Sequence, residues 1–196
     1  MSTVLQIYEA IDRLAPFFLS MEFDNTGILV GDRQKKVERA LLALDCTKEV
    51  LRQAKELGAQ LIITHHPIIF HPIKRVNEDS LVYHLLRSDI AVISAHTNLD
   101  IAQGGVNDLL AKRIGLSDCR GLQPMDAQGT FFLGRVGSLP EGMEPQQFAQ
   151  YLNQRLGAPS VKFAAADRTV KTVALCGGAG AACLEDAVRE GSDRRL

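Results

Sequence analysis

Two adjacent histidines, with a further histidine and two carboxylates elsewhere in the chain, can supply metal-binding chemistry. His65 and His66 precede a proline, Asp45 lies upstream of them, and His96 and Asp100 lie downstream. Imidazole and carboxylate groups are residue types that bind divalent metal ions. A mixed nitrogen and oxygen set fits zinc, iron, manganese, nickel or cobalt better than calcium or magnesium.

These groups follow three short apolar runs that predict β-strands, at residues 40–44, 61–63 and 90–94. Helical patterns at 47–57 and 80–87 separate the runs. Continuous apolar strands separated by helices indicate parallel pairing with both faces of the sheet covered. Ligand sites form beyond the carboxyl ends of such strands. The sequence therefore predicts an α/β fold with a metal site at one sheet edge.

The His65-His66-Pro67 sequence bears on how many ions the site holds. Proline favours an extended backbone before it, so neighbouring side chains point to opposite sides. The two histidines can each address one ion of a pair about 3.5–4 Å apart. The alternative is that both are loop residues that bind nothing. His71 and His84 are predicted not to be ligands, and His84 falls within a helix.

The remaining elements follow the same logic of apolar spacing and end signals. Their predicted positions are a capped helix over 3–14, a helix over 106–114, a polar turn region over 116–128, strands over 130–136, 161–164 and 170–175, and helices over 145–156 and 182–190. The polar region predicts a division into subdomains 1–120 and 121–196. The glycines of 177–180 predict a tight turn rather than an anion site.

Composition excludes several classes of protein. The 196 residues are 46% hydrophobic, their net charge is −1, and no apolar run approaches the about 18 residues of a membrane span. The charge balance argues against a broad nucleic-acid-binding face, and no export signal precedes the first helix. We expect a cytoplasmic protein without membrane contact. Its four cysteines are too scattered for a zinc knuckle and predict reduced thiols.

Three motifs in this order resemble the GTP cyclohydrolase I type 2 homologues, also called the NIF-three-like family. The motifs are Phe23-Asp24-Asn25-Thr26-Gly27, Thr64-His65-His66-Pro67 and His96-Thr97-Asn98-Leu99-Asp100. The resemblance covers nearly the whole chain. It implies two interlocked α/β subdomains, with mainly parallel strands in the first, and ring-shaped homohexamers.

The resemblance also implies His65, His66 and Asp100 as ligands of a dinuclear metal centre. The family completes this centre with a further His and Glu near the carboxyl terminus, and no histidine follows His96 here. We therefore expect a truncated or frame-shifted chain that binds metal weakly. Asp24 and His96 are candidate acid–base groups.

The function that this resemblance implies is metal-dependent hydrolysis of a nucleotide-like or other small substrate. Nothing in the sequence identifies a guanine pocket. The alternative is a non-enzymatic metal-binding scaffold or a protein-interaction module, since the family's name derives from a transcription-factor interaction. A truncated chain can also have lost its activity.

Overall fold

The structure is a computed structural model that describes residues 1–164 and 168–191 and the backbone of residues 194 and 195. The chain divides into two compact units, Met1–Leu99 and Asp100–Leu196. The sequence predicts a division after residue 120. The boundary between the units lies earlier than predicted, because helix α5 (Val106–Ile114) packs against a strand and a helix of the second unit.

The first unit is built on a four-stranded sheet in the order β2-β6-β5-β4. Its strands are β2 (Gly27–Val30), β4 (Ala40–Ala43), β5 (Leu61–Thr64) and β6 (Ala91–Ser94). Strands β4, β5 and β6 are parallel, while β2 pairs antiparallel with β6. The predicted α/β class is confirmed, and the carboxyl ends of the three parallel strands lie at one edge.

Helices α1 (Val4–Leu14), α2 (Lys48–Glu56) and α3 (Leu81–Arg87) complete this unit, with a small sheet of β1 (Ser2–Thr3) and β3 (Lys36–Val37). Successive side chains of β5 and β6 point to opposite faces of the sheet, so neighbouring residues belong to different hydrophobic cores. Ile62 and Val92 pack with α2 and α3, whereas Leu61 and Ile93 pack with α1. Burial on both faces explains the continuous apolar runs.

The helix starts of the first unit were predicted correctly where a side chain caps them. Thr3 and Gln6 form a reciprocal capping box at α1, in which each side chain binds the other residue's backbone amide. Thr47 accepts a hydrogen bond from the amide of Val50 at the start of α2. These caps satisfy amides that the first helical turn leaves without partners.

The second unit has a four-stranded sheet in the order β10-β9-β8-β7. Its elements are α5, β7 (Ser117–Pro124), β8 (Phe132–Met143), α6 (Pro145–Leu156), β9 (Val170–Leu175), a 3-10 turn (Gly180–Cys183), α7 (Leu184–Arg189) and β10 (Arg194–Arg195). Strands β7, β8 and β9 are antiparallel, and β10 pairs parallel to β9. Apolar residues of α5, α6 and β9 form its core.

Two sequence predictions for this unit are wrong. The polar region 116–128 contains β7, because an edge strand with mostly exposed side chains needs no apolar alternation. Residues 161–164 are apolar enough for a strand but form none. The prediction of a truncated end concerns the segment after Gly191, most of which lies outside the described residues.

Short helix α4 (Thr97–Ile101) follows β6, where the sequence predicted only a loop.

None of the helices within the described ranges has both the length and the apolar character to cross a membrane. The four cysteines are free thiols, as predicted.

Candidate metal centre

The end of β5 places His65 and His66 on a loop that the neighbouring strands hold. The backbone amides of His65 and His66 donate to the carbonyls of Ala43 and Leu44, at 3.4 and 2.9 Å. The buried Thr64 hydroxyl donates to the His66 carbonyl and pairs with Ser94 on β6. These bonds continue the parallel sheet past its last residue, so the turn that carries both histidines is fixed by β4 and β6.

His65, His66 and His96 come together at this edge. One ring nitrogen from each lies within 4.8 Å of the others. The ring centroids of the three pairs are 5.1–5.6 Å apart. Three imidazole nitrogens at this spacing can hold one transition-metal ion, since Zn–N bonds are about 2.0–2.1 Å long. The group is wholly within the first unit.

Each imidazole has its Nδ1 engaged by an oxygen acceptor. Nδ1 of His65 donates to the Ala95 carbonyl at 3.0 Å, that of His66 to Asp45 at 2.7 Å, and that of His96 to Asp24 at 2.9 Å. Carbonyl and carboxylate oxygens accept hydrogen bonds, so the proton of the neutral ring is assigned to Nδ1. The lone pair is then on Nε2, which leaves that nitrogen available to coordinate a metal ion.

The Asp24 carboxylate is the most enclosed part of this arrangement, with a fully buried side chain. Besides His96, it accepts hydrogen bonds from the amide and hydroxyl of Thr97, at 3.1 and 2.5 Å, and from the Asn25 amide. Burial by itself raises the pKa of Asp24, but these hydrogen bonds outweigh it and hold that pKa below its ordinary value. Asp24 is therefore an ionised acceptor that orients His96.

The ligand set differs in one respect from the sequence expectation. His65 and His66 are in the group, as is His96, which the sequence analysis treated as an acid–base candidate. Its position after β6 was the signal that pointed to a ligand. Asp100 is outside the three-histidine group. It is a buried residue of α4 whose carbonyl accepts a hydrogen bond from Asn107, and its role as a ligand stays a prediction.

Aromatic side chains and a cavity border the histidines within the first unit. The ring of Phe70 lies 6.5 Å from that of His96 and 6.3 Å from that of Phe23. On the side of His66 and Asp45 there is a cavity of about 370 Å³. Its size falls within the about 300–1,000 Å³ of small-molecule sites.

The other candidates from the sequence do not join this site. His71 and His84 are outside the three-histidine group found among the described residues. In the glycine turn of 177–180, the Gly177 amide donates to the Asn107 side chain at 2.7 Å. That bond occupies a backbone donor that an anion would need.

Comparisons with known proteins agree with this fold. The family model described as Duf34/NIF3 (NGG1p interacting factor 3) matches residues 2–194. The chain is 36% identical over 196 residues to the GTP cyclohydrolase 1 type 2 homolog of Clostridium perfringens, covering 95% of this chain and 73% of that protein. It is 42% identical over 135 residues to the homolog of Halalkalibacterium halodurans, covering 67% of this chain and 36% of that protein.

A solved structure shares the fold over nearly the whole chain. The Bacillus cereus protein related to NIF3 superposes with a TM-score of 0.92 at 25% identity, covering 99% of this chain and 81% of that one. The predicted family and fold class are thus both supported by matches that include the histidine-bearing strands.

Proposed function

Because the chain belongs to the Duf34/NIF3 family, we propose that it binds a divalent transition-metal ion through His65, His66 and His96. The observation that supports this proposal is the group of three ring nitrogens within 4.8 Å. The engagement of every Nδ1 by an oxygen acceptor adds to it, because such partners set the tautomer and the orientation of metal-binding imidazoles. An all-nitrogen set favours zinc, iron, nickel or copper, and cobalt and manganese are weaker candidates.

The chemistry that follows is metal-dependent hydrolysis of a small substrate. Three protein ligands leave coordination positions for other groups, which is the pattern of catalytic rather than structural sites. An ion held there supplies Lewis acidity toward a carbonyl or phosphoryl oxygen. Asp24 and Asp45 keep the imidazoles of His96 and His66 in place, so we assign them as positioning residues. We therefore propose a positioning role for Asp24 rather than an acid–base role, since its carboxylate is already engaged by four hydrogen-bond donors.

The proposal also includes a substrate class and an assembly, both of which the resemblance to the family implies. The relatives are named as homologues of a GTP cyclohydrolase, which suggests a nucleotide-like or other small substrate. A second ion with Asp100 as a ligand, a homohexamer and protein partners belong to the same set of expectations. A metal-binding scaffold without turnover is the competing outcome.

Metal analysis of the purified chain tests the ligand set. We expect the wild-type protein to bind zinc or nickel in equilibrium dialysis, which also detects weak binding, and the variants His65→Ala, His66→Ala and His96→Ala to lose most of it. His84→Ala is the matched control, because this histidine lies on α3 outside the group. Equal metal content in all four variants would overturn the proposal.

Turnover separates a hydrolase from a scaffold. The metal-loaded chain is incubated with a panel of nucleotides and phosphoesters, and product formation is compared with that of His96→Ala and His84→Ala. Hydrolysis that His96→Ala abolishes and His84→Ala preserves supports the enzyme. Tight metal binding without turnover of any panel member favours the scaffold.

A further inference from the structure

The cavity beside His66 shares two residues with the candidate metal centre. His66 and its hydrogen-bond partner Asp45 form part of the cavity wall. Loop and helix residues of the first unit form the rest of the cavity wall, namely Cys46, Pro67, Ile68, Ile73, Ser80, Leu81 and Val82. Of the three histidines, His66 lines the cavity, so a group bound to an ion at the histidines would reach this space past the His66 ring.

The chemistry of the wall selects what this space can accept. Five of its residues are apolar, and burial raises the pKa of the Cys46 thiol to about 11, so that thiol is neutral. The Asp45 carboxylate disfavours an anionic group, and the residues that line the cavity include no lysine or arginine. Ser80 supplies a hydroxyl that caps no backbone amide of α3. A phosphate is thus poorly matched, whereas an uncharged ring is well matched.

We propose that this cavity binds an uncharged, mainly apolar ring of a ligand whose metal-binding group is held at His65, His66 and His96. The inference rests on the proposed metal site and adds to it the class of group that the site selects. Ile73 is the specificity-determining residue most open to change, because it lines the cavity from an exposed loop position and is 42% exposed.

Two hydroxamates that differ only in their substituent test the proposal without a known substrate. Acetohydroxamate and benzohydroxamate present the same chelating group, and only the second carries a ring. Their affinities for the zinc-loaded full chain are measured by calorimetry. We expect benzohydroxamate to bind about tenfold more tightly, since burial of a ring removes apolar area from water.

Substitutions at Ile73 then locate the ring. Ile73→Trp fills the cavity and Ile73→Asp places a charge in it, so both should reduce the preference to less than about threefold. The affinity for acetohydroxamate and the zinc content should not change. Val76→Trp is the matched control, because Val76 is a similarly exposed residue of the same loop that does not line the cavity.

The outcomes separate the two proposals. A chain that holds no zinc overturns both of them. A zinc-loaded chain with no preference for benzohydroxamate, or with a preference that survives both Ile73 variants, overturns the cavity assignment and leaves the metal site standing.

Discussion

Nδ1 of His96 donates a hydrogen bond to Oδ1 of Asp24 across 2.9 Å, although 72 positions separate the two residues in the chain. Asp24 precedes β2 and His96 follows β6, and these two strands are antiparallel neighbours in the sheet. The pairing therefore places the carboxylate of one motif behind the imidazole of another.

Replacing Asp24 by Asn should weaken metal binding by about 10–100-fold, which is the usual cost of losing such a partner of a ligating histidine. An amide can offer its NH₂ group to His96 and so favour the wrong tautomer. Metal affinity is measured by competition with a chromogenic chelator. Asp32→Asn is the control, because the exposed Asp32 side chain accepts its hydrogen bond from the nearby Gln34 amide and does not contact the histidines. Unchanged affinity in Asp24→Asn would contradict the assigned role.

Asp45→Asn should lower metal affinity less than Asp24→Asn does. The side chains of Asp45 and His66 are 54% and 45% exposed, so water can replace the lost acceptor. The same chelator competition compares the two variants. A larger loss in Asp45→Asn would show that the exposed partner, not the buried one, controls the site.

Asp100→Asn should lower the number of ions bound per chain if the ligand role implied by the resemblance is correct. The carboxylate is an oxygen donor that an amide replaces poorly. The stoichiometry is measured by elemental analysis at saturating metal, with Asp118→Asn, on the exposed strand β7, as the control. An unchanged stoichiometry with a folded variant would exclude Asp100 from the ligand set.

The pair of Asp108 and Arg135 should stabilise the second unit in a pH-dependent way. Arg135 is 6% exposed and donates to Asp108 through Nε and Nη2. Burial by itself raises the pKa of Asp108, but the bonds from Arg135 and Gly104 hold it below the ordinary value. Asp108→Asn should therefore destabilise the fold by about 3 kcal/mol at pH 7, because it leaves a buried guanidinium without its counter-charge.

The sign of the pH effect follows from that lowered pKa. A carboxyl with a depressed folded-state pKa contributes its stability above about pH 4 and loses it as the pH falls toward the folded-state value. The difference between wild type and Asp108→Asn in urea denaturation should shrink from pH 7 to pH 3. Arg52→Gln, which breaks only exposed ion pairs of α2, is the control and should have no measurable effect. A difference that is constant with pH would contradict the assignment.

How much of this molecule the sequence predicts depends on which physical rule dominates locally. The sequence predicts the capped starts of α1 and α2 and the apolar strands β5 and β6, because caps and burial on both faces produce a recognisable pattern within a few residues. It does not predict strand β7, because an exposed edge strand produces no such pattern. At the site, His65 and His66 were identified by their position after a buried strand.

Residue types and their order by themselves predict a metal site at the carboxyl edge of a mainly parallel sheet. Only the tertiary structure brought His96 beside His65 and His66 and placed Asp24 behind it. The spacing of apolar residues predicts which strands exist. Strand order and register decide which strand ends meet, and both depend on packing across the whole unit.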